Sequence, residues 1–542
     1  MTSGVHAETA APSRWTRLAP ALLIVVVGAV AYSNSFSVPF QFDDLVVITG
    51  EPAITGFHPS LASRRFLGDL SFALSYRWFG ERTAGYHVVN LLVHLANALL
   101  VLRIVRQLWR TEPLRASAWS RRGEAVALVT ALLFVAHPIQ TQAVTYVVQR
   151  YASLAAMFFL ASVSSWVAFR QARTRGSSLG WYAAFLASAA AACWTKENAC
   201  VLPLAVVAVE WSFFDAPLRR RALWLSPFLG AAAAAAVAIA VRGVTLAQLD
   251  AMTRVDTDLP RADYLLTQLR VLATYLRLLV LPIGQNLDPD VAVSRSLLAP
   301  GVLPAGALHL GLLAGAALTL RRGTRAGGDG AWRLVGFGVL WFYLALLVES
   351  ALVPIVDVSF EHRVYLPSVG FFLAVTVLVA GLPALAAPRR FVTVATAVVL
   401  LLAAVTLARN RVWQSPRSLW ADVVEKSPHK PRGINNLGIA LMDEGDLAGA
   451  AALFERALRE DPSYTKAYFN LGEARQKAGD CGRAIPPYER FALLHPGYPD
   501  TWRNLADCYE RTGRSAEAGM AREAYGRVQA ERQGRALDNF YR

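Results

Sequence analysis

Residues 85–102 read GYHVVNLLVHLANALLVL, a run of eighteen residues without a single Asp, Glu, Lys or Arg. A helix needs about 20 mostly apolar residues to cross a bilayer, so this run predicts a membrane-spanning helix. Comparable runs recur along the chain as far as residue 408. We therefore predict an all-α membrane core with about eleven spans, at residues 18–37, 86–108, 123–136, 151–169, 178–194, 199–214, 222–241, 303–320, 332–352, 364–381 and 391–408.

The composition changes near residue 410. Of the 542 residues, 55% are hydrophobic and 17% are charged, whereas soluble proteins carry roughly 25% charged residues. The deficit lies in the apolar runs, and the sequence after residue 410 is polar and charged. We therefore predict a membrane core over 1–409, a linker over 410–427 and a separate domain over 428–542.

The net charge of +15 comes largely from arginines in short segments between the apolar runs. Such a distribution sets the orientation of membrane spans, and we exclude nucleic acid as a partner. Arg270 and Arg277, seven residues apart, share one helical face, which favours an interfacial helix over 264–282. If that segment does not cross the membrane, the arginine clusters all lie on the same side of the membrane as the amino terminus. We predict a cytoplasmic amino terminus on an uncleaved first span, and a carboxyl terminus outside.

The last part of the chain repeats every 34 residues. Equivalent positions hold the same residue type in three successive units, with Pro, Asn, Gly and Ala each recurring in register. A 34-residue period with these residues is typical of tetratricopeptide repeats, which stack into an α-solenoid whose concave surface binds extended peptides. The alternative is a scaffold that binds another subunit, and residues 522–542 are predicted to form a capping helix. The positions in register are Pro428, Pro462, Pro496; Asn436, Asn470, Asn504; Gly445, Gly479, Gly513; and Ala450, Ala484, Ala518.

The four cysteines fall in two regions of the sequence. Cys481 and Cys508 lie in facing parts of neighbouring repeat helices, so they are either a disulfide in an oxidising compartment or two small core residues. Cys193 and Cys200 are interpreted as ordinary packing residues in the membrane.

The stretch FQFDD, residues 40–44, places Asp43 and Asp44 directly after the first span, in the outer loop 38–85. A carboxylate beside an apolar membrane face has a raised pKa and is suited to act as general base toward a hydroxyl. The alternative is a capping turn or a surface pair without a catalytic role.

Polar side chains also occur within predicted spans. His87, Asn90, His94 and Asn97 form one helical stripe, and hydrogen bonding between helices is the favoured interpretation. His87, nearest the outer face, is kept as a site candidate. The stretch HPIQTQAVTYVVQR, residues 137–150, begins with a break at His137 and Pro138, and irregular backbone at membrane depth is tolerated where it is buried or lines a cavity.

Four residues at the predicted outer boundary could bind a lipid phosphate together: Arg150, Lys196, His362 and Arg363. Lys196 and Glu197 could instead pair with each other. The sequence has no Walker-type phosphate loop, CxxC, HExxH or GxSxG motif, which disfavours soluble nucleotide chemistry and favours an activated donor carried on a lipid.

The order of these motifs resembles a known family. FQFDD, GYHVVNLLVHLANALL, HPIQTQAVTYVVQR, KENA and EHRVYLPSVGF, followed by the repeats, are similar to the transmembrane and tetratricopeptide-repeat O-mannosyltransferase-like proteins, which are type C glycosyltransferases. The Ala- and Arg-rich composition resembles that of bacterial proteins. The resemblance implies a polyprenyl-phosphate sugar donor and a catalytic acidic pair, here Asp43 and Asp44.

By this resemblance one aspartate takes the proton of a Ser or Thr hydroxyl, whose oxygen attacks the anomeric carbon with inversion. The four predicted cations would hold the departing phosphate. Relatives often carry an acid at the position of Gln142, so a second catalytic carboxylate is in doubt here, and Glu361 or Glu197 could substitute for it.

The sequence thus predicts transfer of mannose or another hexose to Ser or Thr of exported proteins, at the outer face of a bacterial inner membrane. The repeats would bind the acceptor polypeptide from the periplasm. The alternatives are the same chemistry on a glycan or lipid acceptor, and a non-catalytic membrane scaffold. No resident cofactor or metal is predicted, although Asp43 and Asp44 with a phosphate could hold a divalent ion.

Overall fold

A computed structural model describes residues 14–241, 248, 255, 257–325 and 328–540. Within these ranges the chain is helical, and its only β-type pairing is an isolated bridge between Val255 and Ile355. The chain divides into a membrane unit, residues 1–285 and 291–414, and a repeat unit, residues 286–290 and 415–542. The predicted all-α class is confirmed.

The membrane unit contains fourteen helices of seven residues or more among the described residues. They are α1 Arg14–Ala31, α2 Phe66–Phe79, α3 Thr83–Trp109, α4 Gly123–Ala136, α5 Arg150–Gln171, α6 Arg175–Cys193, α7 Leu202–Phe213, α8 Leu218–Trp224, α9 Ser226–Val241, α10 Arg261–Val280, α11 Val302–Thr324, α12 Trp332–Leu347, α13 Pro367–Ala380 and α14 Pro388–Val412.

Five helical stretches of the described chain are long and apolar enough to cross a membrane: Thr83–Trp109, Val147–Gln171, Val302–Thr324, Trp332–Leu352 and Pro388–Val412. A sixth span results if Ser120–Ala136 and Pro138–Val144, bent by 50° at their junction, are taken together. Other predicted spans fall on shorter apolar helices such as α13. The predicted total of eleven, and the orientation derived from it, stay predictions.

Small residues allow the central helices to approach closely. Gly338 of α12 and Gly370 of α13 face each other so closely that a side chain on either would meet the other's carbonyl oxygen. Close approach at small residues is a common way for membrane helices to associate, because lipid offers no hydrophobic drive between them. The glycine pair therefore allows the backbones of α12 and α13 to approach closely at this level.

The polar stripe on α3 joins neighbouring segments, as the favoured interpretation predicted. His87 Nε2 lies 2.9 Å from the carbonyl oxygen of Val38, and His94 Nδ1 lies 2.7 Å from the hydroxyl of Tyr365. Asn97 donates to the carbonyl oxygen of Ser153. All the stripe's side chains are buried, and the hydrogen bonds that they make join α3 to neighbouring segments of the protein.

Segment 264–282 lies mostly within α10, which buries Tyr264, Gln268 and Tyr275 along one side. Arg270 and Arg277 lie on the other side and donate to the carbonyl oxygens of Ala292 and Ile283. The helix is therefore amphipathic, and its placement at a membrane interface stays a prediction.

The repeat unit contains paired helices of the expected type. Gly445, Gly479 and Gly513 have positive φ angles of 89°, 84° and 76°, which end each first helix because a residue without Cβ adopts this conformation readily. The recurring alanines are buried between the paired helices. The helices are α15 Pro416–Lys426, α16 Pro431–Asp443, α17 Leu447–Glu460, α18 Lys466–Lys477, α19 Cys481–Leu494, α20 Pro499–Arg511 and α21 Ser515–Phe540.

Two predicted boundaries differ from the structure. Residues 410–427, predicted as a linker, contain the end of α14 and all of α15, which Ser415 caps through its side chain. The predicted capping helix is the continuation of α21 as far as residue 540. Helix α15 forms because Leu419, Trp420 and Val423 lie on one side of it and are buried, while charged residues occupy the other side.

The short segment 286–290 belongs to the repeat unit through an ion cluster. The carboxylate of Asp288 is buried and pairs with Lys430 and with Arg432, whose Nε lies 2.6 Å from Oδ2. Asn286 donates to the hydroxyl of Ser427 at 2.8 Å. Burial tends to raise the pKa of Asp288, but the two cations outweigh it and lower the pKa below its usual value.

We expect Asp288→Asn to destabilise the repeat unit by about 1–3 kcal/mol, because it leaves two half-buried cations without their charged acceptor. A carboxylate with a lowered folded pKa stabilises above its unfolded pKa and loses this effect as the pH falls. Wild-type protection of amide hydrogens in residues 431–443 should therefore decline in acid more steeply than that of the variant. Asp500→Asn, which removes an exposed pair with Arg503, should change protection little, and equal effects of the two variants would contradict the prediction.

Cys481 and Cys508 are buried against each other, with their Sγ atoms 2.6 Å apart. If the repeat unit faces an oxidising compartment, we expect a thiol–disulfide oxidant to join them, with loss of two protons and two electrons. After denaturation without reduction, alkylation should modify the exposed Cys193 and Cys200 and reach the other pair only once reductant is added. Alkylation of all four thiols in protein trapped at lysis would contradict this.

Candidate functional site

The two aspartates of FQFDD have different surroundings. Asp44 is buried, and its carboxylate accepts the backbone N–H of Gln41 at 2.9 Å and that of Val148 at 2.6 Å. Asp43 is only partly buried, and its backbone N–H donates to the hydroxyl of Tyr146 at 3.0 Å. Asp44 thus holds two segments together, and Asp43 is the less buried of the two carboxylates.

The backbone beside the pair is strained. Phe42 has a φ of 47°, in the left-handed region that residues other than glycine rarely adopt. The surrounding contacts hold this turn: the side chain of Gln41 donates to the carbonyl oxygen of Trp413 at 3.1 Å, and Tyr146 stacks on the Trp413 ring. Such strain concentrates at functional sites, where the surrounding structure compensates for its cost.

Burial, with a smaller contribution from the charge of Asp43, raises the pKa of Asp44 to about 8, although the backbone N–H groups oppose this shift. This shift favours the protonated form of Asp44 at neutral pH.

Segment 137–150 connects the acidic pair to a second group of polar residues. Its backbone forms short helical turns at Pro138–Gln140, Thr141–Val144 and Val147–Gln149, all of them buried. At one end Val148 binds Asp44, and in the middle the side-chain oxygen of Gln142 accepts the backbone N–H of His362 at 2.6 Å.

The second group contains Lys196, Glu349, His362 and Arg363. Lys196 Nζ lies 2.7 Å from Oε1 of Glu349, and both side chains are buried. Arg363 donates to the carbonyl oxygens of Val358 and Asp357, the latter at 2.6 Å. Lys196, Arg363 and Arg65 are near enough to His362 to act on its ring electrostatically. The structure therefore brings three of the four predicted phosphate ligands together.

Helix α10 holds the loop that carries His362 and Arg363. Gln268 donates to the carbonyl oxygen of Val358 at 2.7 Å. The Tyr275 hydroxyl donates to the carbonyl oxygen of Phe360 at 2.9 Å and accepts its N–H at 3.0 Å. The buried side of this amphipathic helix thus positions the site, a role that its sequence pattern did not indicate.

Arg150 does not fit the predicted role of phosphate ligand. It is fully buried, and all its guanidinium nitrogens donate to the protein: Nε to Asn90 at 2.6 Å, one terminal nitrogen to Ser75 at 2.8 Å, and the other to the carbonyl oxygen of Tyr86 at 3.2 Å. Its guanidinium also lies over the Phe72 ring. Arg150 therefore joins α2, α3 and α5, and each of its guanidinium nitrogens already has an acceptor in the protein.

His362 also differs from its predicted role as a cation. Burial, and then the charges of Lys196, Arg363 and Arg65, lower its pKa well below the usual value. The ring is therefore neutral at physiological pH. It can accept or donate a hydrogen bond, but it does not add positive charge to the site.

The remaining candidates serve mainly as links. His137 caps α4 and accepts the N–H of Ile139 at 3.1 Å, and the side chain of Glu361 accepts from Gln285 at 2.8 Å. Glu197 does not pair with Lys196: it binds Arg65 at 2.7 Å. Burial tends to raise the pKa of Glu197, but Arg65 outweighs it and lowers the pKa to about 2.

Sequence reasoning missed Glu349 and Arg65. Glu349 lies at the end of the apolar stretch Trp332–Leu352, and an ionisable residue in a span is by default a candidate for function. The sequence position of Glu349 could therefore have indicated a functional role. The position of Arg65 could not, because Arg65 lies among other arginines in a polar loop and only the fold brings it to Glu197.

An apolar cavity of about 310 Å³ lies between α4, α13 and α14, with the end of α10 beside it. Its walls are almost entirely aliphatic and aromatic, and His137 is its polar member nearest the irregular segment. The residues that line it include Leu133, His137, Leu279, Phe372, Thr376 and Phe391.

Comparison with known proteins places these features in context. Family models described as tetratricopeptide repeats match residues 441–485 and 469–534. Protein O-mannosyl-transferase Tmtc3 of Drosophila melanogaster is 27% identical over 83% of this chain and 56% of its own length. TMTC4 of Homo sapiens is 30% identical over 34% of this chain and 28% of its own, and tmtc2 of Xenopus laevis is 29% identical over 34% and 23%.

The chain thus spans little more than half the length of its fly relative. Among solved structures, MamA aligns with 22% of this chain and 69% of its own at 20% identity and a TM-score of 0.21, a likeness too weak to carry a conclusion. Over most of its length the chain therefore resembles the Tmtc protein O-mannosyl-transferases, as its motifs predicted, and its carboxyl-terminal part is a tetratricopeptide-repeat array.

Proposed function

We propose that this protein transfers a hexose, with mannose as the first candidate, from a polyprenyl-phosphate donor to Ser or Thr hydroxyls of exported polypeptides at the outer face of the membrane. One observation carries the proposal. The buried segment 137–150 binds both the loop of the accessible Asp43 and the loop of His362 and Arg363. A base and a cationic group are thus parts of one hydrogen-bonded structure.

In the proposed reaction Asp43 takes the proton of the acceptor hydroxyl while its oxygen forms a bond to the anomeric carbon. The bond from that carbon to the phosphate oxygen breaks, and polyprenyl phosphate leaves with the electron pair. A single displacement of this kind inverts the anomeric centre. Lys196 and Arg363 would stabilise the charge on the departing phosphate, whereas Arg150 supports the fold of the site.

The apolar cavity beside His137 supports a lipid-linked donor. Its aliphatic lining offers no partner for a nucleotide, and it suits an isoprenoid chain whose phosphate extends toward polar residues. A cavity of about 310 Å³ would take only the first isoprene units, so the rest of the chain would remain in the bilayer.

The repeats support a polypeptide acceptor. Asn470 donates to Asn435 at 2.8 Å across neighbouring repeats. A polar cavity of about 450 Å³ in this unit is lined by residues that include Phe469, Tyr498 and Arg503. Aromatic rings beside amide and charged groups suit an extended peptide, whose backbone offers both donors and acceptors.

We expect Asp43→Asn to reduce transfer by about 10²–10⁴-fold, the usual contribution of a general base, without lowering thermal stability. The measurement is mass spectrometry of exported proteins from a deletion strain complemented with each variant. Glu81→Gln, at an exposed carboxylate of the same outer loop, should restore the wild-type glycan pattern. An unchanged pattern with Asp43→Asn would sink the proposed role of this residue.

Asp44→Asn should behave differently. An amide cannot accept both backbone N–H groups, so we expect a loss of about 1–3 kcal/mol in stability. Because the folded pKa of Asp44 is raised to about 8, its contribution is complete below its unfolded pKa, falls as the pH rises, and is lost above about 8. Thermal unfolding between pH 5 and 8 should show this decline in wild type and not in the variant, and parallel curves would argue against a raised pKa of Asp44.

A further inference from the structure

Glu349 has an unusual environment for a carboxylate in an apolar span. It lies in the π-helical turn Val348–Leu352 that follows α12, and its side chain is more than nine-tenths buried. One carboxylate oxygen binds Lys196, but the other, Oε2, has no hydrogen-bond partner among the described residues. Burying such an oxygen without a partner is costly, so a partner from outside the chain is expected.

Two further buried atoms of the same cluster lack partners within the described ranges. They are Nε2 of Gln142 and Nδ1 of His362. Gln142 accepts the backbone N–H of His362, and Lys196 acts electrostatically on the His362 ring. The unpartnered atoms thus include a strong acceptor, Glu349 Oε2, and a donor, Gln142 Nε2, and Lys196 both pairs with Glu349 and acts on the His362 ring electrostatically.

The chemistry of these atoms distinguishes between ligands. A phosphate would be repelled by the Glu349 carboxylate, and a divalent cation would be repelled by the Lys196 ammonium. In the part of the chain that the structure describes, no group of three metal-binding side chains lies at this position. Sugar hydroxyls both donate and accept hydrogen bonds, so they can satisfy a carboxylate oxygen and an amide together.

We propose that Glu349 and Gln142 form the subsite that recognises the hexose of the lipid-linked donor, with Glu349 accepting hydrogen bonds from its hydroxyls. This inference rests on the proposed function. Lys196 lies between the two parts of the donor: it neutralises Glu349 on one side and can meet the phosphate on the other. The subsite explains why the acidic Glu349 is present beside Lys196 and Arg363, the cations that would bind the donor phosphate.

The test measures binding of two synthetic lipids, polyprenyl-phosphate mannose and unglycosylated polyprenyl phosphate, to the full-length protein in nanodiscs. Wild type should bind the mannosylated lipid at least tenfold more tightly. Glu349→Gln should remove most of this preference, since a neutral amide accepts hydroxyl hydrogen bonds more weakly than a carboxylate. Binding of the unglycosylated lipid should stay the same or tighten, because a repelling charge is gone.

Glu124→Gln is the matched control, because Glu124 is a largely exposed carboxylate at the start of α4. It should leave both affinities unchanged. If Glu349→Gln weakens both lipids equally, Glu349 only positions Lys196 and the inference is overturned. If wild type binds neither lipid, the proposed donor itself is wrong.

A second measurement has an arm that uses only wild-type protein, so that arm does not depend on a variant folding. Wild-type affinity should fall for donor lipids whose mannose lacks single hydroxyls, by about tenfold for the hydroxyl that meets Glu349. That hydroxyl should matter much less in Glu349→Gln or Gln142→Met protein. Equal wild-type affinity for every deoxy sugar would overturn the sugar subsite while leaving the polyprenyl-phosphate donor in place.

Discussion

The structure of the membrane unit depends on one constraint: the irregular backbone of residues 137–150 must find its hydrogen bonds inside the protein. No water is available at membrane depth to satisfy broken helical turns. Polar side chains from distant parts of the chain do so instead. Thr406 donates to the carbonyl oxygen of Ala136, Gln285 to that of Pro138, and Asn90 to those of Val144 and Val147. Asp44 accepts the N–H of Val148. Helices α3 and α14 are thereby fixed to the same segment as the loop of the acidic pair.

This constraint explains the division of labour among the charged residues. Asp44 and Arg150 are both buried and fully engaged by the protein, so each stabilises the arrangement around segment 137–150. Asp43 is less buried than Asp44, and the proposed function assigns chemical roles to Asp43 and Lys196. A buried polar group with complete hydrogen bonding is difficult to recruit for a substrate, because its partners would lose theirs. Residues that look alike in the sequence are therefore distinguished by their burial and by the partners that the fold supplies.

The repeat unit follows simpler rules. Its helices form from local patterns, with a glycine of positive φ closing each first helix and a buried alanine between paired helices. Each repeat packs on its neighbours along the chain, so stability accumulates along the array. The ion cluster around Asp288 is the exception, because it joins the array to a segment more than a hundred residues earlier in the chain. Acid sensitivity is expected to concentrate there rather than in the repeats themselves.

The sequence by itself determined the helical class, the apolar core, and the repeat array with its turns. It also identified the motif that contains Asp43 and Asp44 and the irregular segment 137–150 as candidate parts of a site. These features depend on local composition and period, which act over one or two helical turns. Only the tertiary structure decided that Asp44 is structural, that Arg150 is engaged by its own protein, and that Lys196 pairs with Glu349 instead of Glu197. The physical reason is that burial and hydrogen-bond partners come from residues far away in the sequence, 372 positions in the case of Gln41 and Trp413, and these decide whether a charge is available.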